Sequence, residues 1–430
     1  MSTAKVPPSY FKWWICVLLL LASALNYMDR QALSLTAVRV SEHFELSNFR
    51  FSWFESGFSL GFLIGAPLVG WLVDRGNARW IYPAVVFAWS AAGFLSGFAE
   101  SFAFLLGCRI ALGLFEGGNI PCGVVTVKRV LRPEERALGN GMFQSGSAVG
   151  AIVMPLVVLL CLSYLERSPL RDQSLYWRLP FWVVGSAGLL WVGLWLLSVR
   201  THHVRSPQPT ASADEPVDTY WAIWGNRRFW VSLVVVLAIN STWRSFVFWL
   251  PKFLQQGKGY DEKVMAWLTS GFYVAADLGT IAVGAAVLWL HRHGLSLHRA
   301  RLFCYAGCAG LTALSVLTAL FPRGPALVTV LFLLGFGTLG LFPIYYNLSQ
   351  EISVRHQGKV TGTLSCLNAM YLLLLFPVQG KLIDQLGSFS AALGMAGVFP
   401  LAGLVALTFF WEPRQPRGSE LGPQAGVPPV

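Results

Sequence analysis

The sequence contains few charged residues for its length and has no long polar stretch that could fold as a soluble domain. Charged residues make up 12% of the 430 residues, whereas hydrophobic residues make up 55%. In an ordinary soluble domain, about 25% of the residues are charged. This scarcity of charge excludes a soluble globular protein. The apolar runs that repeat along the chain predict an integral membrane protein.

The sequence also lacks the groupings of side chains that hold metals or catalyse reactions. Its seven cysteines lie mostly inside apolar runs and form no Cys-x-x-Cys pair, so we interpret them as small buried hydrophobic residues. Its seven histidines fall in loops or at the ends of apolar runs. No cluster of His, Asp and Cys points to a membrane enzyme, and we expect neither a metal nor a cofactor. A membrane sensor would need a signalling domain, for which no segment remains.

The distribution of basic residues excludes nucleic acid as a partner and predicts the membrane topology. The net charge is +11, but the basic residues form short clusters between apolar runs rather than one continuous face. With the N-terminus in the cytoplasm, 19 of the 32 Lys and Arg residues fall on the cytoplasmic side, 10 outside and three within spans. This asymmetry predicts that both termini are cytoplasmic. The first apolar run resembles a secretory signal, but it continues past Asp29 and we interpret it as an uncleaved span.

Stretches of about 20 apolar residues predict twelve transmembrane helices in an all-α membrane protein. The predicted spans are 13–36, 51–73, 80–99, 102–127, 138–163, 180–199, 229–251, 264–290, 300–320, 325–349, 359–383 and 388–411. A segment rich in Pro, Ser, Thr and charge separates the sixth span from the seventh. The predicted domains are an N-terminal six-helix bundle (1–199), a cytoplasmic linker (200–228), a C-terminal six-helix bundle (229–411) and a cytoplasmic tail (412–430).

Weak internal similarity indicates that the two halves are parallel repeats. At an offset of 214 residues, the segment 26–30 aligns with 240–244, and Gly70 aligns with Gly284. Both matches fall in equivalent spans, as two pseudo-symmetric bundles would require. The sequence has no oligomerisation signal, so we expect a monomer within the lipid bilayer.

The segment GWLVDRGNAR, which follows the second span, combines a glycine with charges at the membrane surface. Gly70 would permit close helix packing. Asp74, Arg75 and Arg79 would form an ion-pair network that joins neighbouring helices and breaks when the protein changes conformation. We therefore predict that these four residues act in conformational gating. The alternative is a basic loop that only sets the topology.

Four charged residues lie inside the first and fourth predicted spans, where a charge is costly and indicates function by default. Asp29 and Arg30 are adjacent in LNYMDRQALS. Arg109 and Glu116 are seven residues apart, so they share nearly one helix face. Because the two spans run in opposite directions, Asp29 and Arg109 fall at a similar depth and can pair. Glu116 falls nearer the midplane without a fixed partner and could take up a proton near neutral pH. The alternative is purely structural pairing within the bundle.

The charges counted within the spans limit the kind of ligand. They are three arginines and three carboxylates: Arg30, Arg109, Arg244, Asp29, Glu116 and Asp277. The interior is roughly neutral when all six are ionised, and it becomes positive when one or two carboxylates are protonated. It would then attract a small anion, and anion binding would be coupled to proton binding by electrostatic linkage alone.

Polar residues in the C-terminal half offer further contacts for such an anion. Asn240 and Arg244 lie one turn apart and could meet polyol or carboxylate oxygens, with Trp243 as an apolar platform for a sugar. Alternatively, Arg244 extends toward the membrane surface. Asn347 and Asn368 could bind hydroxyl groups, or they could only join helices by hydrogen bonds.

Six motifs occur in one order over nearly the whole chain: NYMDRQ, GWLVDRGNAR, CRIALGLFEGGNIP, RALGNGMFQSGSAVGAIVMP, FWLPKFLQQGKGY and ADLGTIAVG. With them the sequence resembles the anion:cation symporter family of the major facilitator superfamily, in particular its bacterial hexuronate transporters. The resemblance implies the major facilitator fold in the plasma (inner) membrane of a bacterium. It also implies a proton-coupled symporter that imports a sugar-acid monocarboxylate, such as a hexuronate or hexonate, by alternating access.

The resemblance further implies roles for individual residues. Arg30 would bind the substrate carboxylate, and Tyr27 would bind a hydroxyl group. Asp29 and Glu116 would be protonation sites, with Arg109 as the partner of Asp29. These residues all belong to the first and fourth spans.

Two residues depart from the pattern of the family and predict altered recognition of hydroxyl groups. Phe62 stands where many members have a tyrosine near the substrate, and Ser147 stands where the galactonate branch has a glutamine. An exporter and a carrier of a non-sugar carboxylate remain alternatives, because Arg30 would recognise a carboxylate whatever the rest of the ligand.

Overall fold

The fold was obtained as a computed structural model, which describes residues 9–132, 135–169, 172–201, 204, 224–352 and 357–411. The predicted tail and most of the predicted linker lie outside these residues. The described part of the chain is helical and contains no strand. Its α-helices are α1 (Ser9–Leu35), α2 (Ala37–His43), α3 (Asn48–Arg75), α4 (Ala78–Ser96), α5 (Phe102–Glu116), α6 (Asn119–Val130), α7 (Arg136–Arg167), α8 (Leu175–Ser198), α9 (Arg227–Lys252), α10 (Glu262–Arg292), α11 (Leu297–Ala313), α12 (Pro325–Gly340), α13 (Phe342–Ile352), α14 (Gln357–Leu386) and α15 (Phe389–Phe410).

All twelve predicted spans coincide with helices, so the prediction of an all-α membrane protein is confirmed. In the described part of the chain, eleven segments are long and apolar enough to cross a membrane, and two of them join consecutive α-helices, α5 with α6 and α12 with α13. The remaining predicted span, 80–99, is α4, whose arginine and aromatic residues near its start reduce its mean hydropathy. The short helix α2 was not predicted.

The fourth predicted span is interrupted within the segment EGGNIP. α5 ends at Glu116 and α6 begins at Asn119, with Gly117 and Gly118 between them. A Cβ atom on Gly117 would lie 2.7 Å from the backbone nitrogen of Ala66 in α3. The break between α5 and α6 therefore lies where its backbone approaches that of α3 too closely for any side chain at position 117.

The buried apolar side chains form one cluster shared by both halves and two clusters confined to one half each. The shared cluster includes Phe51 of α3 and Phe248 of α9, whose ring centroids are 5.1 Å apart. The two separate clusters include residues near the start of α1 and the end of α15, respectively. We call the side of the bundle where α1 begins and α15 ends the terminal side, and the other the opposite side. Apolar packing between the halves is thus concentrated on the opposite side.

Polar contacts also join the halves on the opposite side. Lys252 Nζ donates to Ser41 Oγ at 2.9 Å and to Asn48 Oδ1 at 2.8 Å. The Asp384 carboxylate accepts the backbone N–H groups of Asn48 and Phe49 at 2.9 and 2.8 Å. A carboxylate from the C-terminal half therefore satisfies the first free amides of α3, where the helix dipole also favours a negative charge.

Further contacts of this kind lie on the same side. Arg39 Nη2 pairs with Glu262 Oε2 at 2.6 Å, and Lys263 Nζ pairs with Glu166 Oε2 at 2.7 Å. Two more hydrogen bonds join the halves at about the level of Glu55, roughly two turns into α3: Ser56 Oγ donates to the carbonyl of Leu373, and Ser270 Oγ donates to the carbonyl of Ile152. The two halves are therefore closed together on the opposite side.

The packing of α3 on α5 generates a prediction about stability. A Cβ atom on Gly65 would lie 1.7 Å from the carbonyl oxygen of Leu114, whereas a Cβ on Gly284 would meet nothing within 4 Å. Gly65→Ala should lower the free energy of unfolding by about 1–3 kcal/mol, since the helices must separate. Gly284→Ala, the control, should be neutral or add about 0.5–1 kcal/mol. Thermal unfolding in detergent measures both, and equal melting temperatures would contradict the close packing.

The Asp384 contact generates a prediction about closure. Asp384→Ala should raise hydrogen exchange at the first amides of α3 roughly tenfold or more, because a charge-assisted acceptor is lost. Asp261 caps α10 within its own half by accepting from Val264 N at 2.8 Å. Asp261→Ala should therefore affect only the first turn of α10. Exchange at Asn48 and Phe49 that is unchanged in Asp384→Ala would show that this contact does not hold the halves together.

Candidate functional site

A cavity of about 350 Å³ lies between the two halves. Helices α1, α3, α6 and α7 line it from the N-terminal half, and α9, α13 and α14 line it from the C-terminal half. Five of the predicted substrate-binding residues lie on its wall: Arg30, Phe62, Asn240, Arg244 and Asn368. The structure therefore brings residues of both halves to one site, as the repeat interface of two bundles would.

The cavity extends toward the terminal side. Its lining includes Thr361, only four residues after the start of α14, and Gln144, near the start of α7. Its deep end is bounded by Arg244, at the level where the hydrogen bonds between the halves begin. Because the halves are closed on the opposite side, the site is reached from the terminal side.

The Arg30 guanidinium on the cavity wall is held by Glu116 behind it. Arg30 Nε and Nη2 donate to Glu116 Oε2 at 3.3 and 3.1 Å. The side chain of Arg30 is 17% exposed, whereas that of Glu116 is 0% exposed. The expectation that Glu116 lacks a fixed partner was therefore wrong. The two helices bring a cavity-facing cation against a buried carboxylate, a geometry that sequence spacing within α5 could not reveal.

Glu55 joins two further arginines and was missing from the charges counted in the sequence. Its Oε2 atom accepts from Arg109 Nη2 at 3.3 Å, and its Oε1 atom accepts from Arg244 Nη2. Glu55 lies within the predicted span 51–73, so the rule that flagged the other intramembrane charges would also have found it. Glu55 belongs to α3, and Arg244 belongs to α9. This carboxylate therefore forms an ion pair between the two halves at the deep end of the cavity.

The ring of Phe58 lies at the centre of the charged cluster. The guanidinium carbons of Arg30, Arg109 and Arg244 lie 4.4, 5.2 and 5.9 Å from its centroid. An aromatic face attracts cations, so one ring contributes to holding all three. Phe58 follows Glu55 by three residues, which places the two side chains on one face of α3.

The expected ion pair between Asp29 and Arg109 is not formed. Arg109 contacts Glu55 instead, and Asp29 packs against α4, where a Cβ on Gly93 would lie 2.7 Å from Asp29 Oδ1. Asp29 is 2% exposed, and its Oδ2 atom has no hydrogen-bond partner among the described residues. Similar depth in the membrane brought these side chains into one region but did not determine their partners.

The C-terminal wall supplies neutral polar groups. Asn240 uses its side-chain nitrogen for the carbonyl of Val236 in its own helix, at 2.9 Å. Asn368 Oδ1 is buried without a partner among the described residues. Tyr345 and Tyr346 also line the cavity. Apart from Arg244 at the deep end, this side of the site therefore presents groups that suit hydroxyl oxygens.

Four predicted substrate-binding residues are not on the cavity wall. Trp243 is buried, with its ring stacked on Phe272 at 6.2 Å, so it packs in the core instead of facing a sugar. Ser147 Oγ donates to the carbonyl of Gln144 at 2.7 Å within α7. Tyr27 packs against the shared apolar cluster, and Asn347 is exposed outside the cavity lining. Trp243 and Ser147 therefore do not face the cavity in this conformation, whereas Tyr27 lies near Arg244 and Arg30 without being part of the cavity lining.

The charged loop after α3 does not form the predicted ion-pair network. Arg75 lies over the ring of Trp71 at 4.7 Å, and Arg79 Nη1 donates to Thr201 Oγ1 at 3.2 Å. Asp74 is exposed and pairs with no described cation, because a hydrated carboxylate gains little from an ion pair.

Close packing at Gly70 is also absent. A Cβ on Gly70 would meet only Pro121, at an ordinary contact distance of 3.7 Å. The gating role predicted for Gly70 and its charged neighbours therefore remains a prediction, without the contacts expected for it.

Phe58 and Gln144 are among the residues of the cavity region, besides Glu55, that escaped the sequence analysis. Phe58 looks like any apolar residue of a membrane helix, and only its neighbours in space make it a platform for cations. Gln144 lines the cavity from α7 and was not singled out. Asp277, one of the three carboxylates counted within the predicted spans, forms no ion pair among the described residues, and Arg244 pairs with Glu55 instead. Within the described chain, no group of three or more His, Cys, Asp and Glu residues is arranged to hold a metal ion.

The sequence is similar to those of bacterial transporters. It is 25% identical to the probable L-galactonate transporter of Escherichia coli strain K12 over 419 residues, which cover 93% of this chain and 89% of that protein. It is 24% identical to the hexuronate transporter of Escherichia coli strain K12 over 417 residues, which cover 92% and 93% of the two chains.

The fold is similar to that of solved transporters. The crystal structure of a bacterial homologue of the human lysosomal transporter Spinster, in an inward-facing and unoccupied conformation, matches with a TM-score of 0.71 at 17% identity. The match covers 94% of this chain and 95% of that one. The sequence profile of the Major Facilitator Superfamily matches residues 19–370, which is more than half of the chain. The chain therefore belongs to the Major Facilitator Superfamily and is an integral membrane transporter rather than an enzyme.

Proposed function

We propose that the protein is a proton-coupled symporter that imports a sugar-acid monocarboxylate, such as a hexonate or hexuronate. The observation that carries this proposal is the pair formed by Arg30 on the cavity wall and Glu116 behind it. A guanidinium is the side chain best suited to bind a carboxylate through two parallel hydrogen bonds. Arg30 is the candidate for that contact because it is partly exposed to the cavity.

The same pair supplies a mechanism for coupling. While Glu116 is ionised, it neutralises Arg30 and competes with the substrate carboxylate for the guanidinium. Substrate that takes over Arg30 would leave a buried carboxylate without its counter-ion, which is strongly unfavourable. A proton on Glu116 removes this cost, so the anion and the proton bind together. Linkage then requires that each increases the affinity for the other.

Asp29 is the second proposed protonation site. It is adjacent to Arg30 in α1 and fully enclosed, and one of its oxygens has no partner among the described residues. A buried carboxylate of this kind is favoured in its neutral form unless a cation approaches. A change in the position of Arg109 would therefore change the protonation of Asp29.

The neutral wall is proposed to bind the hydroxyl groups of the sugar. A substrate hydroxyl could donate to Asn368 Oδ1, and Asn240 retains its side-chain oxygen as an acceptor. Tyr345 and Tyr346 offer hydroxyls of either polarity. Phe62, in place of the tyrosine expected from the family, offers only an apolar surface. The names of the relatives, which transport L-galactonate and hexuronates, support the same class of substrate.

The direction of transport follows if both termini are cytoplasmic. The cavity then opens to the cytoplasm, and the closed side faces outward. Alternating access would separate the Lys252 and Asp384 contacts with α3 and close the cavity on the terminal side. The proposed location is the plasma membrane of a bacterium, with a monomer as the working unit.

Uptake into proteoliposomes tests the proposal. Labelled glucuronate, galacturonate, gluconate and galactonate are each supplied with and without an imposed inward proton gradient. We expect at least one of them to accumulate only when the gradient is present. Uptake that merely equilibrates would contradict the coupling, and the absence of both uptake and exchange for all four would contradict the substrate class.

Arg30→Ala should abolish binding of the transported sugar acid. The loss of a desolvated charge contact typically costs about 2–5 kcal/mol, which corresponds to roughly 30-fold or more in affinity. Calorimetry on the purified protein measures the affinity. Arg39→Ala is the matched control, because it removes an arginine of an ion pair that lies outside the cavity. An Arg30→Ala protein with near-normal affinity would remove Arg30 from the site.

Glu116→Gln should uncouple transport from protons. The amide keeps the volume of the side chain but carries no negative charge, so Arg30 stays available and exchange of labelled for unlabelled substrate continues. Accumulation driven by the proton gradient should disappear. Glu262→Gln, the control, should retain accumulation. A Glu116→Gln protein that still concentrates substrate would exclude Glu116 as the coupling residue.

A further inference from the structure

The cavity wall carries two arginines, and they are neutralised in different ways. Arg30 is paired with Glu116, which accepts through its Oε2 atom only. The other oxygen of Glu116, Oε1, has no partner among the described residues. Arg244 shares Glu55, both of whose oxygens accept from arginines. Glu55 itself does not line the cavity.

The two wall arginines are close enough to bind one small ligand together. Their guanidinium carbons lie 4.4 and 5.9 Å from the centroid of the same Phe58 ring, so their separation cannot exceed the sum of these distances. A six-carbon diacid could place one carboxylate on each. The geometry of the wall alone would therefore admit a dianion.

The partner of Arg244 decides whether a second carboxylate can bind there. We infer that Glu55 is a specificity-determining residue that restricts the site to monoanions by keeping Arg244 engaged in an ion pair. This inference rests on the proposed function, in which Arg30 binds the substrate carboxylate. The inference adds that Glu55, which does not contact the substrate, sets the number of negative charges that a ligand of this cavity can carry.

The contacts of Glu55 explain why it would remain an anion while Glu116 is protonated. Arg109 and Arg244 each donate to a different oxygen of Glu55, so protonation would disrupt two charge-assisted hydrogen bonds in a buried site. Glu116, by contrast, accepts hydrogen bonds from Arg30 alone among the described residues, and through one oxygen only. Protonation of Glu116 therefore frees Arg30, while Arg244 stays engaged by Glu55.

The position of Glu55 between the halves gives a second reason for keeping the pair intact. Glu55 belongs to α3 and Arg244 to α9, and their contact lies where the closed side begins. A ligand that drew Arg244 away would weaken closure on the opposite side while the cavity is open on the terminal side. If the Glu55–Arg244 pair is retained, the substrate can bind without weakening the contacts that close the opposite side.

The test compares two six-carbon probes of different charge, galactonate as the monoanion and galactarate as the dianion. Binding of each to the purified full-length protein in detergent is measured by calorimetry. Wild-type protein should prefer galactonate. Glu55→Gln frees Arg244 and should tighten galactarate binding by roughly tenfold or more, while the galactonate affinity changes by less than about threefold. The preference for the monoanion should therefore be lost.

Three variants serve as controls. Glu55→Asp retains the charge and should retain the preference for galactonate. Glu262→Gln removes another ion pair between the halves, far from the cavity wall, and should also retain it. Glu55→Ala is a second neutral variant with the same expected loss of preference, and it keeps the inference testable if Glu55→Gln does not fold.

The possible outcomes separate this inference from the proposed function. Wild-type protein that binds galactarate as tightly as galactonate overturns the role of Glu55, as does a ratio unchanged in folded Glu55→Gln or Glu55→Ala. A Glu262→Gln protein with the same altered ratio would assign the effect to loosened closure instead of charge. In all these cases galactonate uptake driven by protons would still stand. If wild-type protein binds neither probe, the same comparison is made with glucuronate and glucarate, and failure to bind any of the sugar acids contradicts the proposed function and this inference with it.

Discussion

The structure depends on the electrostatic balance of three arginines that surround one aromatic ring inside the membrane. Three guanidinium groups within 6 Å of the Phe58 centroid would repel one another strongly where water is scarce. Carboxylates on α3 and α5 compensate them, and each arginine has its own environment as a result. One faces the cavity with a single carboxylate behind it, one joins the two halves, and one is wholly enclosed. These environments decide which cation a ligand can reach.

The same balance connects charge with conformation. Glu55 accepts from an arginine of its own half and from an arginine of the other half. Beyond it, toward the opposite side, Lys252 and Asp384 attach the C-terminal half to the start of α3. The helix that carries Glu55 also carries the contacts that close the protein. The ion pair at the deep end of the cavity and the closed side are thus joined by one element, α3.

Much of the fold could be predicted from the sequence because hydropathy reports the lipid environment directly. The spans, the division into halves and the break at Gly117 and Gly118 all follow from composition and local sequence. The cavity residues Arg30 and Arg244 were also identified, since a charged side chain inside a span usually faces the bundle interior or a water-filled cavity.

The pairing of charges could not be predicted in the same way. Helix period and depth placed Asp29 near Arg109, but the contact went to Glu55, because relative rotation of helices decides which side chains meet. Trp243 shows the same limit, since its aromatic ring suits a sugar platform as well as the core in which it packs. The loop after α3 was expected to contain ion pairs, and its contacts depend on a conformation that the sequence does not specify.

The most direct test of the central claim is the number of protons taken up when the anion binds. The proposed competition of Glu116 with the substrate for Arg30 predicts that purified protein in weak buffer near neutral pH absorbs protons as galactonate is added. It also predicts that Glu116→Gln binds galactonate with a smaller uptake. Binding without proton uptake, or with the same uptake in both proteins, would show that anion and proton are not linked through this pair.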